Sequence, residues 1–299
     1  MRHALATACL AALIGTIAPA ATAETDKKIT IRFAAMVGDE PYACGKTYDG
    51  IGATASSVTP SDFRFYVSEV QLLATDGRAV PLALEQDGRW QYANVALLDF
   101  EDHTGPCLTG THETRSVVIG TAPAGTYHGL RFTLGVPFAL NHADSTIAPS
   151  PLNLTSLFWS WQAGYKFLRI DLATAGRPQS IQPGDTPRFG DRAGSQRLGF
   201  AVHLGSTMCS ASGPTAAPGA CANPNRPTVE LKGFDPAGSV VVADLKALLE
   251  GVNVDVNQVD SPAGCMSTPN DGDCNPLLDN LGIGPGGTAV QQRFFRSGP

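Results

Sequence analysis

The chain has 299 residues and a formal net charge of −6, and no run of Lys or Arg exceeds the pair Lys27-Lys28, so the basic footprint of a nucleic-acid-binding protein is missing. With 43% hydrophobic and 16% charged residues, 32 Gly and 22 Pro, the composition excludes a disordered chain and points to a loop-rich globular protein. Its length suits one large all-β domain or two smaller ones.

The chain begins MRHALATACLAALIGTIAPAATAETD, with the basic Arg2, an apolar stretch from Ala4 to Ile17, and the small-residue pattern Ala21-Thr22-Ala23 before Glu24. This is the pattern of a secretory signal peptide over residues 1–23, cleaved after Ala23. Its apolar run is shorter than the roughly 18 residues of a spanning helix, and no other stretch comes closer, so no membrane span is expected. Residues 24–299 are then expected as one exported β domain.

Alternating apolar and polar positions rich in β-branched and aromatic residues predict strands at Ile29–Met36, Phe63–Leu73, Arg115–Ile119 and Thr126–Leu134. The same pattern continues at Tyr165–Leu172, Arg197–Leu204, Thr228–Lys232 and Ser239–Val242. Turn signals such as Thr75-Asp76-Gly77, Gln86-Asp87-Gly88 and Pro123-Ala124-Gly125 separate the strands. Many short strands at this spacing predict an all-β fold, an antiparallel β-sandwich or barrel-like domain. Helical signal is confined to Val242–Glu250 (VADLKALLE), stopped by Gly251, and to a short helix or turn from Leu154 to Trp161 after the Pro149-Ser150-Pro151 break. Segments 177–193 and 210–228 read as Pro/Gly-rich loops, and no fixed-period repeat is present.

Once Cys9 is removed with the leader, Cys44, Cys107, Cys209, Cys221, Cys265 and Cys274 remain, an even set that implies disulfides in an exported chain. Among the pairings open to six cysteines, Cys209 with Cys221 and Cys265 with Cys274 close short loops, and Cys44 with Cys107 follows by elimination. No CxxC occurs, which argues against a cysteine metal site.

The common catalytic signatures are absent: no GxSxG, no HExxH and no GxxxxGK[ST]. CxxCH is absent as well, so the chain carries no attached c-type haem of its own. The acidic runs NVDVNQVD (Asn253–Asp260) and NDGDCN (Asn270–Asn275) lack the glycine and late glutamate of an EF-hand loop and read as Asx-rich turns.

Five histidines survive loss of the leader: His103, His112, His128, His142 and His203. His142 follows a strand in FALNHAD. Strand alternation in GFAVHL puts His203 on the face of Gly199 and Ala201, opposite Phe200, Val202 and Leu204. Two imidazoles reaching one site suit copper or zinc. The other concentrated chemistry is FWSWQAGYKF (Phe158–Phe167), which holds two of the three tryptophans, Trp159 and Trp161. It reads either as core filling at a sheet corner or as an exposed stacking platform of an adhesion or carbohydrate-binding module. Extended, the segment presents Trp159 and Trp161 on one face; as a helical turn it sets them about 200° apart.

In order along the chain, FYVSEVQLL, LLDFED, GVPFALNHAD, PLNLTSLFWSWQAGYKFLRIDL and GFAVHLGSTMC resemble the exported four-cysteine metallo-mystery pair family, typified by MbnP of methanobactin operons. The resemblance covers nearly all of the chain beyond the leader. It implies a periplasmic copper-binding protein that is not an enzyme, encoded beside MbnH, a dihaem c-type cytochrome peroxidase-like partner related to MauG. The partner's high-valent haems would oxidise a tryptophan of this protein to kynurenine, and Cu(I) would be held by two histidines with the modified residue. Carried onto this sequence, the resemblance makes His142 and His203 the metal ligands and Trp159 or Trp161 the modified residue, with Trp90 a weaker candidate. Met208, beside Cys209, is an auxiliary sulfur donor or gap-filling core.

Overall fold

The computed structural model describes residues 25–160, 162–174, 179–180, 196–197, 199–213, 216–258, 261–268 and 270–299. The expected leader, Trp161 and most of the expected 177–193 loop lie outside the described residues.

In chain order the principal strands are β1 (Asp26–Val37), β2 (Ser56–Ala74), β3 (Val95–Asp99), β4 (Val117–Pro123) and β5 (Tyr127–Leu134). Helix α1 (Phe138–Asn141) follows, then β6 (Phe158–Ser160), β7 (Gly164–Tyr165), β8 (Leu168–Thr174) and β9 (Phe200–Leu204). The chain continues through β10 (Thr207–Ser210), β11 (Ala220–Asn223), β12 (Thr228–Lys232) and β13 (Val240–Asp244). Two helices, α2 (Leu245–Leu248) and α3 (Cys274–Asn280), precede the last strand, β14 (Phe295–Gly298).

These strands form a sandwich. The smaller sheet has the order β14-β13-β1-β4, and the larger has the order β9-β8-β2-β5-β12 with β3 also paired to β2. Pairing is antiparallel except between β1 and β13, which run parallel. Phenylalanines from both sheets interlock between them. Phe33 of β1 meets Phe65 and Phe132 edge-on at 6.1 and 5.9 Å, and Phe295 of β14 meets the same two rings at 5.5 and 5.1 Å. Such T-shaped pairs add about 0.5–1.5 kcal/mol each beyond their area burial.

The long strand β2 is buried on both faces for much of its length. Alternation places Phe63, Phe65 and Val67 toward the sandwich and Asp62, Arg64 and Tyr66 on the outer face of the larger sheet. At Glu69 the backbone turns to φ 56° in an irregular stretch of the β2–β5 pairing; this resets the alternation, so Val70 and Leu72 are the buried positions beyond it.

All three expected disulfides are present: Cys44–Cys107, Cys209–Cys221 and Cys265–Cys274. The helix expected over Val242–Glu250 shrinks to Leu245–Leu248. Val240–Asp244 is instead claimed by the ladder to β1, and Asp244 caps the helix by accepting from the Lys246 and Ala247 amides. Between Leu154 and Trp161 only a single 3-10 turn forms, Thr155–Leu157, before the chain becomes strand β6. The strand expected at Arg115–Ile119 runs as Val117–Pro123, with Arg115 making an isolated bridge to Asp99. Among the described residues no helix is long and apolar enough to cross a membrane.

Candidate functional site

The outer face of the larger sheet carries ionised groups in cross-strand register. Arg64, Arg169 and His203 lie side by side on β2, β8 and β9, and Asp62, Asp171 and Ala201 form the neighbouring row. Arg64 grips Asp62 through Nε at 2.9 Å and through Nη2, and Arg169 bridges Asp62 at 3.1 Å and Asp171 at 2.6 Å. His203 Nε2 completes the ladder 2.7 Å from Asp171 Oδ1. Both Asp62 and Arg64 are fully buried. Charges removed from water in this way need partners at close range, and loss of one partner from a buried pair costs about 3–5 kcal/mol.

Water is kept out by the segment between β5 and β8, which folds back over this face. Tyr66 donates its hydroxyl to Pro151 O at 2.9 Å and meets the Tyr165 ring at 5.8 Å, and Tyr165 donates to Leu152 O. The ladder in turn holds the cover down. Lys166 Nζ and Arg169 Nη1 each donate to Ser156 O at 3.0 Å, and Arg64 Nη1 donates to Ser156 Oγ at 3.2 Å. Ser156 belongs to the 3-10 turn that delivers Phe158 and Trp159. The aromatic block is thus anchored by Arg64 and Arg169 of the sheet beneath it and by Lys166 of the covering segment itself.

Two segments clamp the β6–β7 hairpin. On one side Asn141, at the end of α1, accepts the Tyr165 amide at 2.9 Å and packs so closely on Gly164 that no side chain fits there. On the other, the six-membered ring of Trp159 rests on Gly205; a Cβ at that position would collide with Cζ3 and lie 2.9 Å from Cη2 and 2.8 Å from Tyr165 O. Gly205 is itself fixed, donating to Ser267 Oγ at 3.2 Å and accepting from Asn225 Nδ2 at 2.8 Å. Trp159 is half-buried, with Cζ3 and Cη2 of its indole packed on Gly205, which does not suit an open stacking platform.

The clamping residues are chain neighbours of the two histidines picked from the sequence. His142 follows Asn141 directly, is half-buried, and brings Nε2 to 3.5 Å from Cys221 Sγ. Its ligand atom and the two sulfurs of Cys209–Cys221 all lie within 4.8 Å of one another. His203 precedes Gly205 by two residues and is only 8% exposed. Burial pushes its imidazole below the ordinary value, against the pull of Asp171, so the ring is neutral. Asp171 stays ionised: burial works to raise its carboxyl, but His203 and Arg169 hold it well below the usual carboxylate range. A neutral His203 that donates from Nε2 to Asp171 leaves Nδ1 as a bare lone pair. That atom is buried and has no hydrogen-bond partner among the described residues.

Both histidine-bearing segments therefore meet one tryptophan hairpin, although the two imidazoles do not touch through a hydrogen bond or ring contact among the described residues. Met208 is 62% exposed at φ 53°, next to Cys209 on β10, so it fills no core gap. Trp90 lines a cleft with Arg64, Ser150 and Ser156 to which neither His142 nor His203 contributes, and the Arg89 guanidinium lies 5.1 Å from its ring. The sequence reading missed the ion ladder, which is legible only once register is known. It also missed the meeting of His103 and His112, whose rings are 4.8 Å apart.

Fold and site together define a disulfide-stapled β-sandwich in which a roofed ion ladder supports an aromatic hairpin with an imidazole-bearing segment on either side. The chain belongs to the MbnP family, whose model matches residues 26–267. Among solved structures it is similar to MbnP from Methylosinus trichosporium, with 29% identity, a TM-score of 0.77, and coverage of 92% of this chain and 99% of that one. No curated protein sequence matches it.

Proposed function

We propose that this protein is a periplasmic, non-catalytic Cu(I)-binding protein in copper acquisition or homeostasis, whose tryptophan is oxidised to kynurenine by a dihaem partner of the MbnH type. The observation that carries this reading is the convergence of the Asn141-His142 and His203-Gly205 segments on the Trp159 hairpin. Family membership and three disulfides support an exported copper protein.

The donors fit the ion. Cu(I) is soft and accepts neutral imidazole and thioether ligands. His142 offers a half-exposed ring, Met208 an exposed sulfur, and His203 a buried lone pair whose other nitrogen is held by a carboxylate, the usual arrangement behind a ligating histidine. Trp159 is the preferred target because its ring already packs beside the His203 segment; Trp161 is the alternative. Oxidation to kynurenine cleaves the indole C2–C3 bond with two oxygen atoms from two equivalents of peroxide used through the partner's haems, and hydrolysis then releases C2 as formate, so the residue exchanges one carbon for one oxygen.

Co-expression with the dihaem partner in the presence of peroxide is expected to raise the intact mass by about 4 Da, located to Trp159 by peptide mapping. An unchanged mass with demonstrably active partner sinks the reading. His142→Ala and His203→Ala should each reduce copper stoichiometry in the modified protein, and full occupancy in a variant removes that residue from the site.

A further inference from the structure

The loop from Glu101 to Arg115 is pinned by the Cys44–Cys107 disulfide and by Thr109, whose hydroxyl accepts from Arg64 Nη2 at 2.9 Å and donates to Asp62 Oδ2 at 2.7 Å. It folds so that His103 and His112 meet ring to ring, with centroids 4.8 Å apart and planes at 76°. Two imidazoles bound to one ion through nitrogens at about 2.0 Å and a roughly tetrahedral angle have centroids about 5 Å apart. The rings already stand at that separation.

Two buried polar atoms at this place are unsatisfied. His103 Nδ1 is one, and Glu101 Oε2 is the other; neither has a hydrogen-bond partner among the described residues. Glu101 is fully buried, and its second oxygen, Oε1, accepts the His103 amide at 3.1 Å, which ties the carboxylate to the histidine. Orphaned buried polar atoms are rare in native proteins, and an ion or ordered water is a common reason for them. His112 is exposed, so the pair opens to solvent on one side.

We infer a second metal site in this loop, with His103 and His112 as ligands of a divalent ion of the zinc or copper(II) type and Glu101 as the anionic support beneath it. The three side chains do not form a cluster as tight as that of His142 with Cys209 and Cys221, so water completes the coordination and Glu101 acts mainly through its charge and its hold on His103. Neutral imidazole nitrogen with carboxylate oxygen suits these borderline ions better than it suits Cu(I). The site is independent of the copper reading above, since it shares no residue with it.

Calorimetric titration of the leader-free, disulfide-intact protein with Zn(II) tests the inference. One equivalent is expected to bind to the wild type, with affinity reduced about 100-fold in His112→Ala and in His103→Ala and about 10-fold in Glu101→Gln. His142→Ala and His203→Ala should bind zinc as the wild type does. Because His112 is exposed, His112→Ala should melt at the wild-type temperature without metal, which separates lost ligation from misfolding. Absence of zinc binding, undiminished binding in His112→Ala, or loss in His142→Ala instead would each overturn the site.

Discussion

Gly205→Ala adds one methyl group at the contact between the His203 segment and the tryptophan hairpin. Gly205 is not among the positive-φ glycines, so alanine meets no backbone penalty and the effect isolates packing. The new Cβ would collide with Trp159 Cζ3 and lie 2.8 Å from the Tyr165 carbonyl, closer than ordinary van der Waals contact. The carbonyl cannot retreat, because the hairpin is held at the Tyr165 amide by Asn141, so the indole must move. Overpacking of this kind costs about 1–3 kcal/mol. At about 2–4 °C per kcal/mol for a domain approaching this size, the melting temperature should fall by roughly 2–12 °C. Scanning calorimetry gives that shift, and a change in tryptophan emission reports displacement of the ring. In a Trp159→Ala background most of the penalty should vanish, a coupling on the order of 1 kcal/mol. A wild-type melting temperature in Gly205→Ala, or a penalty of equal size with and without Trp159, would refute the packing argument and with it the convergence on which the site rests.

Asp171→Asn should destabilise the fold by about 2–4 kcal/mol in urea titrations, because Arg169 and His203 both lose their carboxylate, and a loss below about 0.5 kcal/mol would show the ladder to be dispensable. In the kynurenine-bearing protein the same substitution should weaken Cu(I) binding about 10- to 100-fold by releasing the His203 tautomer, as read by chelator competition. Lys166, pushed down to about 8 by burial and by Arg169, should make stability rise with pH from about 8 toward the unfolded value of 10.5, since in that window the unfolded chain binds a proton that the folded chain does not. Lys166→Met is therefore expected to stabilise by on the order of 2 kcal/mol at pH 7, with the advantage shrinking above pH 8; an advantage independent of pH contradicts the assignment. Replacing Cys44 and Cys107 together by serine removes a cross-link over a separation of 63 residues and should cost about 4 kcal/mol, more than loss of Cys209–Cys221 at a separation of 12, and the reverse order of melting temperatures would count against the loop-entropy account.

The sequence showed the sandwich well because most strands have one polar face. Where both faces are buried the period-two signal fades, so the wholly buried β3 went unread; the start of β2 from Ser56 alternates in burial, but Ser56, Pro60 and Asp62 occupy its covered positions and break the apolar pattern. Leu245 and Leu248 fit a helical pattern that continues smoothly from Val242, and only the tertiary ladder to β1 decides that Val240–Asp244 is strand. At the site, alternation correctly set His203 apart from Phe200, Val202 and Leu204, because that rule needs only local geometry. Its tie to Asp171 requires β8 and β9 to be aligned, and the seat of Trp159 on Gly205 requires two distant loops to be placed; neither is a property of any short window. The pairing of His103 with His112 is closer to legible, since both lie in a loop tied down at Cys107.

The bulge at Glu69 has a consequence for how such a chain tolerates change in length. Upstream of it, deletion or insertion of a single residue in β2 would exchange the faces, driving Arg64 among the phenylalanines and turning Phe63 and Phe65 toward Asp171 and the roof. Substitutions at the outward positions can accumulate without touching the aromatic interior, but a frame slip destroys both sides at once. At Glu69 the alternation is already broken, so a gained or lost residue there is absorbed by the turn-like backbone. Related chains should therefore differ in length at this point of the strand and keep a rigid count from Asp62 to Ser68.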